Sequence, residues 1–139
     1  MIAVSACLAG YRCRYDGEAK ENTEIVALVK SGKAIPICPE VLGGMPTPRS
    51  PSERMPDGSL CNIHGEDVTA FFKKGAEETL RICQLYGVTY ALLKSRSPSC
   101  GCGEIYDGSF SGKTREGNGM TSELLLRHGI AVKAVDEHR

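Results

Sequence analysis

Three cysteines in this 139-residue chain share one local setting, each following a short apolar run. Ile2-Ala-Val-Ser-Ala leads into Cys7 and Ala34-Ile-Pro-Ile into Cys38, while Tyr90-Ala-Leu-Leu passes through a Lys-Ser-Arg-Ser turn to Cys100. Thiolate is a soft ligand suited to zinc or to iron and sulfur, so three thiolates meeting at one edge form a metal or cluster site. The plain alternative is three ordinary buried cysteines. It requires three separate coincidences of strand end and cysteine. A closed structural site takes four protein ligands, for which Cys13 and Cys102 are the spare candidates. With three, one metal position stays open to substrate, as Lewis-acid chemistry requires.

Other residues acquire meaning from that edge. Glu40 lies two residues beyond Cys38, which tethers a carboxylate beside the metal, where it could move protons; a surface glutamate is the simpler reading. Ser97 precedes Cys100 in a proline turn, a place that a purely turn-forming serine also occupies. Arg12, Arg14, Arg49 and Arg96 come from loops at the same edge and could hold a small anionic group such as phosphate, or could simply be solvated. Cys83 falls on an apolar helical stripe and reads as core. Cys61 and His64 form a lone C-x-x-H pair with no second pair nearby, too little for a zinc site. Asp107-Gly-Ser-Phe-Ser-Gly-Lys-Thr has only a superficial likeness to a phosphate loop, because the first glycine is missing and no buried strand precedes it.

The elements that must position these residues are legible. Strands are expected at Ile2–Ala6, Ala34–Cys38, Tyr90–Leu93 and Ile130–Val135. A short helix over Thr23–Ser31 has Asn22 or Thr23 as cap and Gly32 as its stop. The longest helical pattern, Asp67–Tyr86, carries Val68, Phe72, Ala76, Leu80 and Cys83 on one stripe. A last helix, Thr121–His128, is capped by Thr121 and stopped by Gly129. The proline-rich stretch after Pro39 reads as an irregular loop, with Asp57-Gly58 closing a small hairpin that ends near Ile63. Ile105 to Gly119 is too rich in glycine for a regular element.

Alternating strands and helices predict an α/β fold over residues 1–139 as one domain, a mostly parallel, Rossmann-like sheet flanked by helices. Ligands of such sheets sit beyond the carboxyl ends of the strands, at a switch in strand order. Cys7, Cys38 and Cys100 all lie there. The chain is 41% hydrophobic and 24% charged, with 17 basic and 17 acidic residues, so the total carries no electrostatic footprint for duplex nucleic acid. No apolar run approaches a membrane span. Seven cysteines without an export signal point to a reducing, cytoplasmic setting.

Five blocks carry a resemblance: SACLAGYRCRYDG, CPEVLGGMPTPRSP, GEDVTAFFKKGA, LLKSRSPSCG and IYDGSFSGKTREGNG. In order, over nearly the whole chain, they resemble the thiouracil desulfidases, a family long carried as a domain of unknown function. The resemblance implies a [4Fe-4S] cluster held by three cysteines, falling here on Cys7, Cys38 and Cys100, with the fourth iron open. It further implies a catalytic carboxylate at Glu40 and a catalytic serine at Ser97, which orients the substrate base or shuttles a proton. The implied reaction is hydrolytic: the open iron takes the thiocarbonyl sulfur, Glu40 accepts a proton from attacking water, and sulfur leaves as sulfide with no net redox change. The expected substrate is a thiolated pyrimidine, as free base, nucleoside or nucleotide, and the four arginines favour one bearing phosphate.

Three rivals remain at this point. Sulfur insertion into a tRNA base is opposed by the neutral charge and the lack of a recognisable RNA-binding domain. A zinc module would use Cys7, Cys38, Cys100 and either Cys13 or Cys102. An electron carrier would take four protein ligands and keep substrate away.

Overall fold

The computed structural model describes residues 1–136. Its centre is a four-stranded parallel sheet built from β1 (Ile2–Ser5), β2 (Ala34–Ile37), β5 (Tyr90–Lys94) and β8 (Ala131–Val135), in the order β2-β1-β5-β8. Strict alternation sorts its side chains onto two faces. Ala3, Ala91 and Leu93 point to one apolar cluster with Cys83 and Leu125, and Val4 and Leu92 point to a second with Leu8 and Ile25. The second face is covered by α1 (Thr23–Lys30), whose Asn22 side chain accepts hydrogen bonds from the Glu24 and Ile25 amides. The first is covered by α3 (Thr69–Leu85), packed against α4 (Met120–Arg127). Cys83 is fully buried on α3 beside Phe72 and Ala76, as its stripe predicts. Pro36 is tolerated because β2 is an edge strand.

The strand order decides where a site can form. After β1 the chain leaves through α1 towards β2, and after β5 it leaves through α4 towards β8, on the opposite side. Adjacent strands whose connections diverge leave a crevice at their carboxyl ends, here between β1 and β5.

Local structure departs from expectation in four places. Ala6–Ala9 forms a turn of 3-10 helix, so Cys7 sits inside a helical turn rather than in an open loop. Pro39–Leu42 forms a short helix, α2, where an irregular stretch is expected, because Pro39 at its first position has no amide hydrogen to leave unpaired. The glycine-rich stretch contains an antiparallel hairpin of β6 (Glu104–Tyr106) and β7 (Thr114–Glu116). Its glycines occupy the tip and flanks and leave the paired segments free. Thr121 does not cap α4; Gly119 stands at that position, and the Thr121 hydroxyl bonds the Ser99 hydroxyl at 2.7 Å. The hairpin at Asp57-Gly58 is present, with β3 (Ser52–Arg54) paired to β4 (Leu60–Asn62). Among the described residues no helix is long and apolar enough to cross a membrane.

Candidate active site and metal centre

Cys38 and Glu40 are placed by α2, and α2 is placed by two glycines. Cys38 is its N-cap and Glu40 lies in its first turn. A Cβ at Gly75 of α3 would sit 2.0 Å from the Pro39 carbonyl oxygen, and one at Gly43 would sit 2.1 Å from that of Phe71. The two helices therefore touch backbone to backbone. Any side chain there would push the Cys38-Pro39-Glu40 segment away from the sheet.

Cys100 is held in a turn built by Ser97. The Ser97 Oγ accepts from the Ser99 and Cys100 amides at 3.1 and 3.0 Å, and the Gly101 amide donates to the Ser97 carbonyl at 2.9 Å. A buried pair fixes the turn to α4: Ser122 Oγ donates to the Cys100 carbonyl at 2.7 Å, next to the Ser99–Thr121 bond. Gly119 permits that approach, since a Cβ there would stand 2.4 Å from the Ser99 carbonyl. Cys7 is fixed by its own backbone, whose carbonyl accepts from the Lys20 amide at 3.0 Å.

Cys7, Cys38, Cys100, Glu40 and Ser97 all line one cavity of about 380 Å³ at the β1–β5 crevice. The sheet thus joins residues from three distant stretches of chain. Among the described residues no three Cys, His, Asp or Glu side chains converge closely enough to hold a single metal ion. Yet the thiols feel one another, because Cys38 raises the pKa of Cys7 and both raise that of Cys100. All three line the one cavity, and thiolates are soft donors of the kind that hold iron and sulfur.

Burial sets the protonation of the free thiols. It pushes Cys7 up to about 11, and it raises Cys100 too, against the pull of a hydrogen bond from Ser5. The Cys38 thiol lies 3.7 Å from the Cys13 carbonyl, to which it donates, and the two cysteines shift each other's pKa in opposite directions. The interaction with Cys13 lowers the Cys38 pKa against the opposing effect of burial, and the Arg49 guanidinium pulls the same way. Cys13 is raised correspondingly, by the bond to Cys38 and then by burial. The Glu40 pKa is also raised, because burial outweighs the adjacent Arg49 guanidinium. A carboxyl in that state is a stronger base than a free glutamate.

The four arginines separate. Arg49 is a clamp, its side chain 6% exposed: Nε donates to Glu40 at 3.1 Å, Nη1 to the Pro46 carbonyl and the Thr47 hydroxyl, and Nη2 to the Cys13 carbonyl at 2.9 Å. All three nitrogens are engaged within the protein. Arg14 lines the cavity while pairing with Asp16 at 3.0 Å and lying over the Tyr15 ring. Arg12 is exposed and Arg96 turns to Asp136 at 3.0 Å; neither lines the cavity. Cys102 directs its thiol to the Val132 carbonyl and His64 is exposed, so neither joins the site, whereas Cys13 does.

Sequence reasoning did not reach Ser5, Lys94, Glu53, Tyr106 or Phe110, all of which line the cavity. Ser5 and Lys94 end the two central strands and carried a positional signal. Phe110 is a lone aromatic in a glycine-serine stretch, a signal of another kind. Glu53 carried none.

A family model described as 2-thiouracil desulfurase matches residues 2–137. The protein YbbK of Bacillus subtilis (strain 168) is 40% identical over 146 residues, covering 99% of this chain and 97% of the relative. A solved structure titled [4Fe-4S]-dependent thiouracil desulfidase TudS superposes with a TM-score of 0.90 at 49% identity, covering 96% of this chain and 89% of the other.

Proposed function

The chain belongs to the 2-thiouracil desulfurase family, and from that premise we propose that it is an iron-sulfur enzyme that removes sulfur hydrolytically from a thiolated pyrimidine. The observation that carries the reading is the convergence of Cys7, Cys38, Cys100 and Glu40 on one cavity. Cys7, Cys38 and Cys100 would hold a [4Fe-4S] cluster, leaving one iron without a protein ligand. When bound, the cluster supplies a soft Lewis acid for a thiocarbonyl sulfur.

The protein's own residues do the rest. Glu40, kept basic by burial and oriented by Arg49, takes a proton from the water that attacks the ring carbon. The carbon gains oxygen as its bond to sulfur breaks, and sulfide leaves with the protons released, so no electron donor is needed. Ser97 spends its acceptor capacity on two backbone amides, which leaves its hydroxyl hydrogen to donate into the cavity and orient the base. Because Arg49 is fully engaged and Arg12 and Arg96 lie elsewhere, Arg14 is the one of the four placed to meet an anionic substituent. This supports the free base or nucleoside at least as well as a nucleotide.

The test is anaerobic reconstitution with iron and sulfide, followed by iron quantification and a sulfide-release assay on 2-thiouracil. About four irons per chain, with release that Glu40→Gln abolishes while the iron is retained, is the expected result. Stoichiometric zinc without iron uptake would overturn the proposal.

A further inference from the structure

Phe110 lines the cavity in a conformation that its residue type disfavours. Its φ of 55° lies in the left-handed region, where a side chain with a Cβ is strained. Such strain persists where the surroundings over-determine it. Here the surroundings are Glu53 of β3, whose side chain crosses from the β3–β4 hairpin to the β6–β7 tip. Glu53 Oε1 accepts from the Gly108 amide at 2.9 Å and from the Phe110 amide at 3.0 Å. The tip is further fixed by Asp107, which accepts from the Ser109 amide at 2.9 Å, and by Arg115 Nη2, which donates to the Arg54 and Met55 carbonyls at 3.1 Å. The aromatic ring is therefore presented to the cavity by two hairpins locked together.

Glu53 is only 8% exposed, yet its second oxygen is not spent. Both of its hydrogen bonds among the described residues go to Oε1, none to Oε2, and Glu53 lines the same cavity. A carboxylate oxygen can only accept a hydrogen bond. The cavity is thus lined by an aromatic residue and by a carboxylate that keeps acceptor capacity to spare.

We propose that Phe110 and Glu53 are the substrate-recognition pair of this site, Phe110 stacking on the pyrimidine ring and Glu53 Oε2 accepting a ring N–H. The assignment rests on the desulfidase reading for the ring's identity and adds its protonation pattern. Rings of the uracil type, which carry imide N–H donors, are accepted. Rings of the thiocytosine type, which present an unprotonated nitrogen at that edge, are refused, because a built acceptor facing a second acceptor leaves both unpaired.

The test uses the anaerobically reconstituted protein with two readouts: kinetics on 2-thiouracil and 2-thiocytosine, and calorimetric binding of uracil, the oxygen-bearing product. Glu53→Gln is a clean probe, since Oε1 can still hold the Gly108 and Phe110 amides while the cavity-facing atom becomes a donor. It should raise the KM for 2-thiouracil and the Kd for uracil about 10- to 100-fold, as expected for a charge-assisted hydrogen bond lost, and should shift the substrate ratio towards 2-thiocytosine. Phe110→Leu should weaken both by about 5- to 100-fold, with Phe110→Tyr restoring them, because the ring face rather than apolar volume is what stacks. Wild-type Kd values and an unchanged substrate ratio in both variants would overturn the pairing. Uracil binding with this variant pattern but no sulfide release by the wild type would uphold recognition while removing the proposed reaction. An absence of uracil binding by the wild type would overturn the pairing outright.

Discussion

Gly75→Ala sets two physical effects against each other at a position on α3 that the cavity does not touch. Helix propensity alone predicts stabilisation of about 1 kcal/mol, because alanine is the best helix former and glycine a poor one. Packing predicts the reverse. The new methyl would stand 2.0 Å from the Pro39 carbonyl oxygen and 2.8 Å from its carbon, and reaching an ordinary contact of 3.4 Å requires α2 to retreat by about 1.4 Å. Overpacking a close helix pair costs about 1–3 kcal/mol, so the gain in propensity is cancelled or outweighed, with a net loss of about 0–2 kcal/mol and a Tm that does not rise and falls by up to several degrees. The displacement also matters for chemistry, since α2 carries both Cys38 and Glu40. A shift near 1 Å in a reacting constellation costs on the order of 100-fold in rate. Thermal unfolding of the free protein, iron content after reconstitution and sulfide release together make the assay, with Gln84→Ala on the exposed side of the same helix as control. A Gly75→Ala protein with a raised Tm, full iron and wild-type turnover would refute the account of how Cys38 and Glu40 are placed.

Three further outcomes follow from the same contacts. Ser97→Ala strips the acceptor from the Ser99 and Cys100 amides and should cost about 1–2 kcal/mol and speed iron loss to a chelator, while Ser97→Thr, which keeps the acceptor, should retain iron. Arg49→Met removes the partner of a carboxylate whose side chain is 19% exposed and should destabilise the protein by about 3 kcal/mol at neutral pH, measured by urea unfolding; an unchanged midpoint would mean that the clamp does not hold Glu40. The Glu40 pKa is raised above its ordinary value of 4.5, so its preference for the folded state is complete below that value and is lost as pH rises through the raised one. As the proposed base, Glu40 must be ionised, so kcat/KM should fall on the acid side with a midpoint above that of a free glutamate; a midpoint at or below 4.5 would contradict the burial argument.

Much of the lining of the candidate site is legible in the chain, and what is not legible has separate causes. Cys7, Cys38 and Cys100 were visible because an apolar run that stops at a turn marks a strand end, and in parallel sheets those ends gather. Ser97 was recognisable as a residue of interest but not as the residue that builds the Cys100 turn, since its two acceptor bonds appear only when the loop closes. Thr121 looked like a cap by sequence position and lost that role to a tertiary partner, Ser99. The β6–β7 hairpin was hidden because each strand is three residues long and each is stabilised by the other. Among the arginines nothing local distinguishes Arg49, which is buried and saturated, from Arg96, which pairs away from the cavity.

The sequence by itself determined the alternation of strands and helices, the cysteines at their ends and the neutral balance of charge, because hydrophobic periodicity, turn residues and composition act within a few residues of chain. Tertiary structure alone decided that β5 lies beside β1, so that Cys100 faces Cys7 across a crevice, and that Glu53 reaches from one hairpin to hold Phe110 in another. Those outcomes depend on crossover connections, on backbone approaches such as Gly43 to Gly75, and on which polar groups burial deprives of water. None of these is a property of neighbouring residues.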